Sequence, residues 1–143
     1  LETITNSYSA SKNREGANLN GDLTDDIIIT NNIITSVGIF FNHGTVVFNR
    51  QKLYSTLSYP QTLAVVEYGD NKLDIIIAVY IKNDTSALLN LGNATYATEA
   101  TYQTGYHPYS IITSDLKNAF HIFVRYVYKN HSLSTKNKIF NYR

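Results

Sequence analysis

The chain repeats itself at one spacing, and that spacing constrains the fold more than any other property. Residues 26–29, Asp-Ile-Ile-Ile, recur at 74–77 (74 − 26 = 48). In the same ungapped register Ile33 meets Ile81, Asn42 meets Asn90, Gly44 meets Gly92, Tyr54 meets Tyr102 and Thr56 meets Thr104. The only two prolines, Pro60 and Pro108, also fall on each other (108 − 60 = 48). A fixed period of about 20–50 residues marks a repeat architecture, in which each unit is one supersecondary element that buries its apolar faces only by stacking on its neighbours.

Apolar runs separated by Gly, Asn, Asp and Pro divide each unit into four short strands. They are expected at 26–30, 37–41, 45–52 and 62–66, and again at 74–80, 87–91, 95–102 and 110–113. A third unit begins near Asp115, where Phe120, Ile122, Val124, Tyr126 and Tyr128 alternate with His121, Phe123, Arg125, Val127 and Lys129 at the period of a two-faced strand. The expected organisation is therefore a single repeat domain over 1–143, with complete units at 18–65 and 66–113 and partial ones at 1–17 and 114–143. The residues before Asn18 are expected to supply the last strand of a preceding unit. Composition agrees: 43% of residues are apolar and only 16% charged, with many β-branched and Tyr residues, which suit pleated, half-buried strands. The expected fold class is all-β, with about three β-propeller-type, four-stranded antiparallel blades (143/48). Propellers close with about four to eight blades, so additional blades or an oligomer are expected to complete the ring; a small sandwich or a solenoid is the alternative.

The segment 18–27, Asn-Leu-Asn-Gly-Asp-Leu-Thr-Asp-Asp-Ile, resembles the calcium loop of the FG-GAP/VCBS repeat family, whose blades build integrin-α-like propellers. The likeness covers about residues 18–124, and the run from Tyr102 through Gly105 to Ser110 is similar to the linker between such blades. The resemblance implies an extracellular or cell-surface scaffold, in an adhesion or glycan context, that takes an unknown protein or glycan ligand. It also implies a weak calcium site made by Asn18, Asn20, Asp22 and Asp26 with the carbonyl of Thr24. Leu23 stands where such a loop favours Gly, and with two carboxylates the ligand charge is only about −2. The same residues also read as an Asx-rich turn whose side chains cap backbone amides with no ion. The second loop keeps Asp70 and Asp74 alone, the third has Lys117 and Ala119 where oxygen ligands belong, and the family's Gly-Ala-Pro element is missing. Neither later loop is expected to hold a metal.

Other function classes find little in the residues. A net charge of +1 gives no field for phosphate backbones or anionic membranes. The basic residues interleaved with aromatics after Asp115 read as a solvated strand face rather than a nucleic-acid surface. The longest apolar run, 75–81, is far short of the roughly 20 residues of a membrane-crossing helix. With 0 cysteines there is no disulfide framework, thiolate cluster or cysteine nucleophile. His43, His107, His121 and His131 lack metal-ligand spacing, and Asp25 and Asp26, as strand neighbours, point to opposite faces and make no acid–base pair. Sequons at Asn83, Asn93 and Asn130 are as frequent as composition alone provides. The expectation is a non-enzymatic scaffold, with a non-catalytic fragment of a larger propeller enzyme or of a glycan-binding protein as the alternative.

Overall fold

The computed structural model describes residues 11–44, 47–49, 51–56, 58–67, 70–93, 95–97, 100–116, 119–127 and 133–137. Residues 1–10 of the expected first partial unit, and Lys117, Tyr128, Lys129, Asn130 and His131 near the end, lie outside this set. Every element described is a strand. The first sheet is an antiparallel meander of β1 (Ser11–Ala17), β2 (Asp26–Asn31), β3 (Ser36–Phe40) and β4 (Lys52–Ser55). The second joins β5 (Pro60–Glu67), β6 (Leu73–Val79) and β7 (Asp84–Leu88), skips the small hairpin of β8 (Asn90–Gly92) and β9 (Thr95–Tyr96), and ends with β10 (Ala100–Gln103). The third holds β11 (Pro108–Leu116), β12 (Ala119–Val127) and β13 (Leu133–Asn137).

The 48-residue period is a period of structure. Moving β3 by 48 gives β7, moving β4 gives β10, and the isolated Asn42–Phe48 bridge lands on the Asn90–Tyr96 pair of the β8–β9 hairpin. Sheet membership nevertheless departs from the sequence frame. The strand after each proline does not finish the sheet before it: β5 pairs along its length with β6, from Pro60 opposite Val79 to Glu67 opposite Leu73. The residues just before Asn18 likewise open the first sheet, with Ala17 opposite Asp26. Loop length does not decide this, since only 56–59 separates β4 from β5 whereas 68–72 separates β5 from β6. The third strands expected at 45–52 and 95–102 are not single strands of their sheets: Asn42 or Asn90 starts a separate corner that pairs with Phe48 or Tyr96, and the sheet is completed only by β4 (Lys52–Ser55) or β10 (Ala100–Gln103).

The two faces of the second sheet explain the continuous Ile-Ile-Ile run. Opposed residues share a face, so Leu63, Val65, Ile75, Ile77 and Leu88 form one side, and Ala64, Val66, Ile76 and Ala87 the other. The first side packs on Leu19, Ile28, Val37 and Ile39 of the first sheet and its loop, and the second on Ile122 and Val124 of the third. A strand covered on both faces has no polar alternate positions, and residues 74–79 are all buried. Each fully buried Ile adds roughly 1.5–3 kcal/mol.

The third sheet shows how alternation adapts to loop length. The connection between the first two strands of each sheet shrinks from 18–25 to 68–72 to 117–118. In the second sheet Leu63 lies opposite Ile77, while Ile111 (63 + 48) lies opposite Val124, only 47 beyond Ile77 (124 − 77). A one-residue slip turns every side chain to the other face. The apolar positions slip with it: over 121–126 of β12, Ile122, Val124 and Tyr126 are buried and Arg125 is exposed.

Candidate functional site

The loop at 18–25 is a self-capped turn. Asn18 Oδ1 accepts the N–H of Gly21 at 2.9 Å and of Asp22 at 3.1 Å, and Asn20 Oδ1 also accepts from Asp22 N at 3.1 Å. Asp22 takes the N–H of Thr24 at 2.9 Å on Oδ1 and the amide of Asn20 at 2.9 Å on Oδ2. The Thr24 hydroxyl also reaches Asp22 Oδ1, and it lies 3.0 Å from the carbonyl oxygen of Asn42. These bonds hold the Asp22 carboxyl below the ordinary aspartate range, the Thr24 hydroxyl contributing most. Gly21 and Leu23 both take left-handed φ, at 80° and 70°, and Leu23 stands fully in solvent. Leucine is a poor residue for that conformation, which costs roughly 1–2 kcal/mol.

Of the five residues expected to ligate calcium, Asn18, Asn20, Asp22 and Thr24 share this turn, and Asp26 is set apart from them. Its side chain is buried, with Oδ2 accepting Leu19 N–H and Oδ1 accepting Asn42 N–H, each at 2.9 Å. Burial pushes its pKa up, partly offset by those two N–H groups. Both carboxylate oxygens that an ion would need are thus engaged with backbone. Among the described residues no three His, Cys, Asp or Glu side chains gather at one point.

Asp26 belongs instead to a clamp that explains why Asp, Asn and Gly persist at the repeat spacing. In the first unit Asp26 receives Asn42 N–H, Asn42 Nδ2 donates to the carbonyl of Asp25 at 3.2 Å, and Asn42 Oδ1 accepts Gly44 N–H at 3.1 Å. In the second, Asp74 receives Asn90 N–H at 2.8 Å, Asn90 Nδ2 donates to the Leu73 carbonyl at 3.3 Å, and Asn90 Oδ1 accepts Gly92 N–H at 2.9 Å. Asn90 Nδ2 also reaches the carbonyl of Leu19 at 3.2 Å, tying the second unit to the loop of the first. Tyr96 adds its hydroxyl to Leu73 O at 3.2 Å and packs edge-on against Tyr54, and burial raises its pKa. The clamp satisfies buried backbone at a sheet corner. Sequence reading registered these matches as repeat markers only; a buried polar residue recurring on schedule was the available signal.

A second place was not anticipated at all. At the other end of the second sheet, Lys82, Asn83, Asp84, Gln103, Thr104 and Tyr106 line an open cleft of about 350 Å³. The Asn83 carbonyl accepts Thr104 N–H at 3.0 Å, Gly105 N–H at 3.3 Å and the Thr104 hydroxyl at 3.1 Å, while Asn83 Oδ1 accepts His107 N–H at 2.9 Å. The His107 ring stacks on Tyr80 at 4.0 Å and on Tyr106 at 3.9 Å. Asn83 thus organises this turn through both its backbone carbonyl and its side-chain oxygen.

No protein-family model matches the chain, and neither the curated proteins nor the solved structures include a match to it.

Proposed function

We propose that the chain is a segment of a β-propeller working as a non-enzymatic binding scaffold outside the cell. The observation that carries this reading is where neighbouring sheets meet. β5, the opening strand of the second sheet, packs against both β1 and β11, the opening strands of the sheets on either side. The meetings between sheets concentrate at these strands and not at β4 or β10. Sheets that approach at one edge and spread at the other fan about an axis, as blades do, whereas a flat stack approaches evenly along its width. A scaffold of this kind presents the corners between strands to a protein or glycan ligand, and further blades, from the same or another chain, close the ring.

An experimental structure tests the reading. A constant rotation of roughly 45–90° between successive sheets about an axis beside β1, β5 and β11 fits a ring of four to eight blades. A rotation close to that of an ordinary stacked pair, about 30°, overturns it in favour of a sandwich or solenoid.

The convergence of Asn18, Asn20 and Asp22 oxygens on one turn favours a second element, weak calcium binding by the 18–26 loop. An ion there displaces capping bonds and has the Asp22 carboxylate as its main charge. A rise in the melting midpoint in millimolar calcium, absent in chelator and in Asp22→Ala, supports it; no shift beside a cooperative melt overturns it.

A further inference from the structure

We propose that the cleft at the β6–β7 corner of the second sheet is a binding site for neutral saccharides. This rests on the reading of the chain as a binding scaffold and supplies its site and ligand class.

The first argument is divergence between otherwise matching units. The two sheets share their strands and clamps, but at this corner the residues differ. Asn32, Ile34 and Thr35 of the first unit correspond to Tyr80, Lys82 and Asn83, and Ser58 and Tyr59 correspond to Tyr106 and His107 (58 + 48, 59 + 48). The bonding changes with them: in the first unit Thr56 N–H meets the Thr35 carbonyl at 2.7 Å, while the Thr56 hydroxyl turns away from it to the Ser58 carbonyl at 2.8 Å.

The second argument is preorganisation. In the second unit Asn83 gathers Thr104 N–H, Gly105 N–H and the Thr104 hydroxyl on its carbonyl and His107 N–H on its side chain. Tyr80, His107 and Tyr106 form a continuous ring stack that holds Tyr106, 47% exposed, as a fixed platform. A Cβ on Gly105 would sit 2.7 Å from the Tyr126 ring, so the cleft lies directly over a packed aromatic. A site whose backbone and rings are fixed beforehand loses little ordering entropy on binding.

The third argument is chemistry. Lys82 and Asp84 balance each other's charge, so the cleft selects for neither a polyanion nor a polycation. Lys82 supplies donors, Asp84 acceptors, and Asn83 and Gln103 are amides of mixed type. A ligand matched to both kinds carries hydroxyls that donate and accept at once, and the exposed Tyr106 face takes the apolar side of a pyranose ring. The site is open, which fits the end or flank of a chain rather than an engulfed small molecule.

The test is a ¹H–¹⁵N titration of the folded chain with neutral β-linked hexose and N-acetylhexosamine tetrasaccharides. Saturable shifts confined to residues 80–84 and 103–107, with affinity in the roughly millimolar range, are expected. Tyr106→Ala and Asp84→Asn should each weaken binding about ten-fold without changing the rest of the spectrum. Tyr106 is half exposed, so its removal leaves the core intact, and Asp84→Asn is close to isosteric. The proposal is overturned if neither tetrasaccharide shifts these amides, if both variants bind as the parent does, or if only a sulfated sugar or an unstructured peptide binds. The cleft lies within the second sheet and its following turn, so this result stands independently of the rotation between sheets.

Discussion

Replacing Asn90 by Ala, with Asn42→Ala as its 48-residue counterpart (42 + 48), measures what the clamp contributes. Asn90 is almost fully buried, and its side chain bonds the carbonyls of Leu19 and Leu73 and the N–H of Gly92. The bond from its own N–H to Asp74 survives the substitution, and the Leu73 carbonyl keeps the Tyr96 hydroxyl. Two groups are left without the bonds Asn90 gave them, the Leu19 carbonyl and the Gly92 N–H. At about 1–3 kcal/mol for each buried group deprived of its partner, and with water reaching the half-buried Gly92, the loss should be about 2–4 kcal/mol. Asn42→Ala removes bonds to the Asp25 carbonyl and the Gly44 N–H, and the first of these lies in solvent, so its loss should be about 0.5–1.5 kcal/mol. Urea unfolding of both variants at unchanged m-value measures the difference. Equal losses would refute the argument, because they would mean that burial of the Leu19 carbonyl does not set the cost.

Three more outcomes follow from the geometry. Thr35 holds φ at 45° where Asn83 holds 59° in the second unit, and Asn tolerates this region far better than a β-branched residue, so Thr35→Asn should raise stability by about 1 kcal/mol in a urea melt. Gly105→Ala sets a methyl against the buried Tyr126 ring and should cost about 1–3 kcal/mol; Gly38→Ala meets the side-chain ends of Gln51 and, at 3.0 Å, Asn31, which give way more readily than a ring, and should cost less, which paired melts will rank. Carboxyl NMR should place Asp22 below and Asp26 above the ordinary value of 3.8. Asp22 then contributes stability above the ordinary value that is lost as pH falls through its depressed pKa, whereas the Asp26 contribution is present below the ordinary value and lost as pH rises through its raised one.

The period, the strand-rich character and the corner residues were legible because each repeats at a fixed spacing, and a run such as Ile75-Ile76-Ile77 has few physical explanations besides a strand covered on both faces. The phase of the sheets was not legible. The connections 56–59 and 68–72 on either side of β5 are nearly equal, so loop length does not say whether it closes one sheet or opens the next, and the apolar pattern of the strand is the same in either case. Asp26 was grouped with Asn18, Asn20 and Asp22 because spacing alone cannot distinguish a carboxylate turned toward a loop from one turned into a sheet corner, and its 48-residue partner Asp74 is retained together with Asp70, the partner of Asp22. The cleft escaped because Tyr80, Tyr106 and His107 follow no motif and Asn83 stands out only as one of three sequons. Subtracting one unit from the other exposes them.

The connection that shrinks from 18–25 to 68–72 to 117–118 also marks the position in each unit that tolerates editing. Three lengths of hairpin serve one kind of sheet, and the shortest is accommodated by changing which residues face inward rather than by unmaking the strands. This corner is accordingly the natural place to graft a foreign peptide or reporter. A cassette set between Ala17 and Asp26 must still supply a carbonyl for Asn90 and an N–H for Asp26 in place of those Leu19 gives.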